Sequence, residues 1–384
     1  PLYAGQSKER LSYPQAARWL LSVNGFDDTS LKPKEKNLPS ISVGWLGSLG
    51  YIQALGNNLY ETLMLNLTLL KDGRECWSEN RPCWELETPR SAERTKIPCP
   101  DDPAQLLTLQ SRRLLLHRTE GMVDGYFALG GDFFSKENAF AEQMTVWRNA
   151  AKKNEPAVFV PCRHDPARQF WREFPAVFCQ DSGHRPGVVR WTEKLQEQRL
   201  GILDSRRKVH FRIVGVLYAT QNHIEDIFSD SLTFQAGLLD ELSCEWQERI
   251  VREINNCEKA AQCVGYLAQD IAIAAGNKNE NVGGSVRAQF YFAVDQPFRL
   301  WLQKIDANQK NYDEMELCWQ AQARSIAEKL GKQMVMEAGN AALKGHRIVV
   351  DKGKKTERTI LYASPRAYNI FRARLWEIYP KTES

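Results

Sequence analysis

The stretch Val209-His210-Phe211-Arg212-Ile213-Val214-Gly215-Val216-Leu217-Tyr218-Ala219-Thr220-Gln221-Asn222-His223 divides the sequence into two unlike halves. Val209, Phe211 and Ile213 alternate with His210, Arg212 and Val214, which predicts a strand with one buried face. Gly215 interrupts that pattern, and Thr220 to His223 form a small polar tip. Upstream, short strand and helix patterns mix with many Pro, Gly and Trp residues; downstream, the chain reads as almost wholly helical. Taken alone, a polar tip at such a junction is a linker turn. The expected fold class is α+β: a mixed α/β N-terminal domain over residues 1–222, followed by a C-terminal four-helix bundle over 223–384.

The chain has 384 residues, 43% hydrophobic and 26% charged, which suits two or three domains with real cores and excludes a disordered chain. A net charge of +4 does not by itself demand a nucleic-acid partner, so the distribution of cations must carry that argument. Nine cysteines at irregular spacing, an odd number, point to reduced thiols and a cytoplasmic location. No apolar run approaches the ~18 residues of a membrane helix. The start, Pro1 to Arg10, reads as a loop without an initiator Met, and the expectation is a chain lacking an N-terminal portion.

Moving upstream from the central stretch, Pro14 opens a helix with Ala16, Ala17, Leu20 and Leu21 on one side, ending near Asn24-Gly25. A long loop over 27–40 carries Lys32, Lys34 and Lys36. Gly44-Trp-Leu-Gly-Ser-Leu-Gly50 places glycines at every third position, but no Gly-Lys-Ser/Thr follows, so close backbone packing is the better reading than phosphate binding. Asn58 and Glu61 have capping-box spacing and favour a helix over 59–70, although alternating Leu63, Leu65, Leu67 and Leu69 suit a strand equally. The run 106–117 reads as a strand that turns at Glu120-Gly121 and returns over 122–129. Further strands are expected around 144–147 and 157–160, joined by a connection with Arg148, Lys152 and Lys153.

Downstream, 224–275 reads as one or two long helices, and Gly283-Gly284 as a break. Phe290, Val294, Phe298 and Trp301 form one helical stripe, with Pro297 expected to kink it; Met315, Trp319, Ala323, Ile326, Leu330 and Met334 form another. Ser364-Pro365 opens a last helix with Tyr368, Phe371, Leu375 and Ile378 inward. Lys352-Gly-Lys-Lys355 and Arg358 read as a basic loop before it.

Catalytic signatures are missing from the sequence. It has no His-Glu-x-x-His, no Gly-x-Ser-x-Gly and no nucleotide loop, and Asp27-Asp28 and Asp101-Asp102 suit caps and turns. Cys76, Cys83 and Cys99 lack the paired spacing of structural zinc. The expectation is therefore no metal, no cofactor and no enzymatic activity. A thiol- or zinc-dependent hydrolase built from Cys162, His164, Cys179 and His184 is the alternative, because folding can join residues distant in sequence.

Several stretches together resemble one family in order along nearly the whole chain. They are Pro14-Gln-Ala-Ala-Arg-Trp-Leu20 with Gly25-Phe-Asp27, Gly44 to Gly50 with Glu61-Thr-Leu-Met-Leu-Asn-Leu67, and Pro82-Cys-Trp-Glu85 with Leu107-Thr-Leu-Gln-Ser-Arg-Arg113. Ala288-Gln-Phe-Tyr291 and Pro297-Phe-Arg-Leu-Trp301 continue the match in the helical half. The chain resembles the CasA family, the large subunit of the type I-E CRISPR Cascade complex, and starts inside the family pattern. Leu109 replaces a Trp of that pattern.

The resemblance implies a non-catalytic subunit that recognises the PAM in double-stranded DNA, helps open the duplex for the guide RNA, and recruits a helicase-nuclease. Its implied partners are the other Cascade subunits, the crRNA and PAM-bearing DNA, with no membrane. Ile213-Val-Gly215 before Gln221 is similar to the segment before the family's glutamine wedge, which makes Gln221 the implied wedge, flanked by Thr220 and Asn222. The family's PAM loop corresponds to about 37–42; the sequence offers Asn37, Pro39 and Ser40 there and few glycines. No lysine stands at the position matching the family's lysine finger, and Arg118 and Lys136 are the nearest cations. Arg148, Lys152 and Lys153 match the basic patch for the displaced strand, and Lys8 and Arg10 fall in a loop implied to lie near the guide RNA.

Overall fold

The computed structural model describes residues 10–27, 43–71, 75–77, 81–85, 96–179, 184–196, 201–219, 224–277, 282–350 and 358–380. The chain forms two compact units, Pro1–Asp204 with Val209–Leu232, and Ser205–Lys208 with Thr233–Ser384.

The central strand prediction holds. Strand β8 (Lys208–Tyr218) buries Val209, Phe211 and Ile213. It pairs antiparallel with β1 (Tyr51–Leu55), placing Ile52 opposite Ile213 and Ala54 opposite Phe211, so both strands bury the same face. Phe178 packs on Phe211 with ring centroids 5.0 Å apart, and Phe170, Trp171 and Phe174 complete a fully buried aromatic core.

The strand on the other side of β8 overturns an expectation. Residues 224–235 are not helical; they form β9 (Ile224–Gln235), giving a sheet ordered β1-β8-β9. Leu232 and Phe234 are buried two residues apart with exposed or half-buried neighbours, a strand period. Gly215 leaves the room that the Phe228 ring needs: a Cβ there would lie 2.3 Å from it.

The rest of the first unit is built from short elements. Ser12 and Gln15 form a capping box for α1 (Tyr13–Phe26). Asn58 accepts from the Glu61 N–H at 2.9 Å to start α2 (Leu59–Asn66). That helix ends earlier than predicted: the Asn66 side chain bonds both backbone groups of Ala54, and the chain turns into β2 (Leu70–Lys71), paired with β3 (Glu75–Cys76). Asp102 caps α3 (Pro103–Leu107), so the strand expected over 106–117 begins only after a helical turn that takes in Leu106 and Leu107. The hairpin follows as β4 (Arg112–Thr119) and β5 (Met122–Gly130), with Glu120 and Gly121 at positive φ in its turn. The next pair is β6 (Trp147–Asn149) and β7 (Phe159–Pro161), slightly later than read from the sequence. Two short helices, α4 (Phe174–Phe178) and α5 (Gly187–Lys194), follow.

The second unit contains four long helices: α6 (Cys244–Ala274), α7 (Val282–Lys304), α8 (Tyr312–Glu337) and α10 (Ser364–Ile378). Gly283 does not break the chain. It lies within α7, where a Cβ would come 3.1 Å from the Gly265 oxygen, so the pair permits close approach of α6 and α7. Helix α7 also continues through Pro297. Phe290, Val294, Phe298 and Trp301 are buried as predicted, and Trp319 stands edge-on to Phe298 at 5.0 Å. A short helix, α9 (Gly339–Lys344), precedes the pair β10 (His346–Val350) and β11 (Arg358–Tyr362); of the expected basic loop, Lys352 to Lys355 lie outside the described residues and Arg358 begins β11.

Candidate nucleic-acid interface

The glycine-spaced segment is a packing device. A Cβ on Gly44 would fall 2.4 Å from the Gly25 oxygen, one on Gly47 2.0 Å from the Tyr218 hydroxyl, and one on Gly50 1.9 Å from the Cys162 oxygen. The segment therefore lies flush against the end of α1, the end of β8 and residues 162–164. The Tyr218 hydroxyl donates to the Phe26 carbonyl at 2.9 Å, fixing the point where β8 gives way to 219–223.

Two cations converge on this anchor. Lys136 Nζ donates to Ser48 Oγ at 2.8 Å, within the glycine-spaced segment. Arg163 stacks over the Tyr218 ring, its guanidinium carbon 5.1 Å from the ring centre. Burial first, then the charge of Arg163, pulls the Lys136 ammonium below the ordinary lysine range. Neither cation has an acidic partner among the described residues. Two like charges held together, one of them half-buried, present a site complementary to an anion.

The remaining predicted cations are spread over the same unit. Arg148 is exposed on β6, and its charge opposes the rise that burial and Glu173 impose on the Cys162 thiol, next to Arg163. Lys152 and Lys153 are exposed in the β6–β7 connection, where Glu155 N–H donates to the Lys152 carbonyl and Asn154 adopts positive φ. Arg118 is exposed on β4 at a register shift, and Arg10 pairs with Glu120 at 3.4 Å. Lys8, Asn37, Pro39, Ser40, Thr220, Gln221 and Asn222 lie outside the described residues.

Sequence reasoning does not pick out Arg163, Ser48 or Tyr218. Arg163 sits between Cys162 and His164, a setting that draws attention to metal ligation instead. Those two neighbours serve the scaffold: His164 Nε2 lies 3.1 Å from the Tyr51 carbonyl oxygen, and burial holds its imidazole pKa below the usual value. His184 stacks on Phe140 at 3.8 Å, so the two histidines have different partners. Among the described residues no group of three or more His, Cys, Asp or Glu could hold a metal ion. No described helix is long and apolar enough to cross a membrane.

The sequence and the α+β fold with its helical second unit are similar to those of CRISPR-associated proteins. The family model of the CRISPR-associated protein Cse1 matches residues 3–330, and the chain belongs to this family, also called CasA, the large subunit of type I-E Cascade. It is similar to the crystal structure of Thermobifida fusca Cse1, with 31% identity and a TM-score of 0.79, covering 99% of this chain and 73% of that one. Thermus thermophilus CasA (Cse1) matches at 19% identity and TM-score 0.69, covering 96% of this chain and 72% of that one. A chain of a CRISPR RNA-guided surveillance complex matches at 16% identity and TM-score 0.58, covering 95% and 68% respectively. Comparison with curated proteins returned no match.

Proposed function

We propose that the chain is the non-catalytic DNA-recognition subunit of a crRNA-guided Cascade complex. The reading assigns PAM recognition and the start of duplex opening to the first unit, in the main the expected domain 1–222. The helical unit, in the main 223–384, serves contacts with the other Cascade subunits and the recruited helicase-nuclease. The likeness to a chain of an RNA-guided surveillance complex supports association with the other Cascade subunits and the crRNA; the cytoplasm, where such a complex would meet invading DNA, is the proposed compartment.

The observation that carries the reading is the Lys136–Arg163 pair, anchored through Ser48 and Tyr218 beside the connection between β8 and β9. In RNA-guided recognition base pairing reads the sequence, while the protein reads a short PAM and stabilises the separated strands. Minor-groove readers combine a cation that reaches the groove with a wedge that unstacks a base step, at a cost of a few kcal/mol per step that backbone contacts offset. Lys136 and Arg163 supply the cations, Gln221 with Thr220 and Asn222 the wedge, and residues 37–42 the close approach. Arg148, Lys152 and Lys153 guide the displaced strand; Arg118 contributes to duplex contact, and Lys8 and Arg10 face the guide RNA.

The test uses assembled complex and PAM-bearing duplex with a fluorescent base analogue beside the PAM. Lys136→Ala, Arg163→Ala and Gln221→Ala are each expected to reduce opening while the complex stays assembled, with Gln221→Ala sparing initial duplex binding. Unchanged opening and unchanged PAM dependence in all three variants would refute the assignment.

A further inference from the structure

The core of the helical unit holds a polar centre that DNA recognition does not use. Glu253, on α6, is completely buried. Its Oε1 accepts from Gln320 Nε2 of α8 at 2.8 Å and from Asn256 Nδ2 at 3.1 Å. Its Oε2 is buried with no hydrogen-bond partner among the described residues. The charged group facing it from α8 is another carboxylate, Glu316.

The nearby cations are already committed. Arg252 grips both Glu316 oxygens, with Nη2 at 2.5 Å from Oε1 and 2.6 Å from Oε2. Arg249 Nη1 donates to Glu316 Oε2 at 2.7 Å and to Asp313 at 2.8 Å. From the end of α10, Tyr379 adds only a hydroxyl, which donates to Cys257 Sγ at 3.5 Å, and Tyr291 of α7 lies near Tyr379. Among the described residues no positive charge is left to balance an ionised Glu253, and a buried carboxylate without one is strongly disfavoured against its neutral form.

We propose that α6 and α8 are joined by a bound proton: Glu253 is held as the neutral acid, its Oε2 donating to the Glu316 carboxylate. The proton gives the orphaned oxygen a donor role and gives Glu316 a bond that its two arginines do not fill. Burial, with the adjacent Glu316, pushes Glu253 from an ordinary 4.5 up to about 8. Burial alone would raise Glu316 too, but its hydrogen bonds and charge contacts with Arg252 and Arg249 hold it below the ordinary range.

The sign of the linkage follows. The unfolded chain releases the Glu253 proton near 4.5, the folded chain near 8. Between those values the folded state binds the extra proton, so this centre's contribution to stability falls as pH rises through the window and is flat above it. Glu316 works the other way: its contribution is lost only as pH falls below its ordinary range.

Urea unfolding of the full chain over pH 5 to 9, paired with infrared spectroscopy of the neutral carboxyl band, tests the proton. The expected result is a urea midpoint that declines with pH in the unaltered chain and a flatter profile in Glu253→Gln, whose amide mimics the neutral acid. The infrared band is expected to titrate near 8 and to shift to lower pH in Glu316→Gln, which removes the facing charge. Glu142, a buried carboxyl whose pKa burial also raises, contributes a band that Glu316→Gln does not move. Identical pH slopes with and without Glu253, or a titration indifferent to Glu316→Gln, would overturn the proposal. If Glu253→Gln does not fold, the response of the band to Glu316→Gln decides alone.

Discussion

Gly47 shows how a single residue couples the scaffold to the candidate interface. Its missing side chain admits the Tyr218 hydroxyl, and Tyr218 carries Arg163 on its ring. A methyl at Gly47 meets that hydroxyl at 2.0 Å and must push it off the Phe26 carbonyl. Gly47→Ala is therefore expected to cost about 1–3 kcal/mol by overpacking, measurable by urea denaturation, and to weaken DNA binding beyond that loss by releasing Arg163. The three-residue glycine spacing already pointed to close packing, because glycine allows backbone approach that other residues forbid. What lay against Gly47 and Gly50 was illegible, since Tyr218 and Cys162 are more than 100 positions away in sequence. Arg163 was hidden for a related reason: nothing local marks an arginine whose partner is the ring of Tyr218.

At the scale of elements, the β6–β7 hairpin isolates one electrostatic job from the others. Lys152 and Lys153 are exposed and make no structural ion pair among the described residues. Lys152→Ala with Lys153→Ala is expected to leave folding intact and flatten the salt dependence of DNA binding. Because the double variant neutralises two fewer phosphates, the slope of log affinity against log salt should fall by about 2. A slope unchanged from the parent chain removes these lysines from the DNA path. The two strands were legible to within about three residues, and Arg148, expected in their connection, falls on β6. Strand β9 was not: the acidic and polar residues Glu225, Asp226, Ser229 and Asp230 blur its alternation, and only pairing with β8 makes Leu232 and Phe234 a buried strand face. Gly283 misled in the opposite direction, since a glycine inside a helix looks like a stop until the neighbouring helix at Gly265 is known.

For the molecule as a whole, each unit has its own aromatic core, so each should melt as a cooperative body. Trp319 is fully buried against Phe298 and Trp301 in the helical unit. Trp319→Ala is expected to cost that unit about 3–5 kcal/mol and to lower one calorimetric transition while leaving the other in place. A uniform shift of both would show that the units unfold as one.

Neither unit is a continuous piece of chain. Residues 205–208 belong with the helices, where Ala236 N–H donates to the Arg207 carbonyl at 2.9 Å, yet 209–232 return to the other unit. A protease nick within 219–223 would leave two fragments, each holding a strand or turn that the other's fold requires. The polypeptide is laced rather than strung, and cutting that one stitch should release a pair of peptides that still migrate together under native conditions and part only in denaturant.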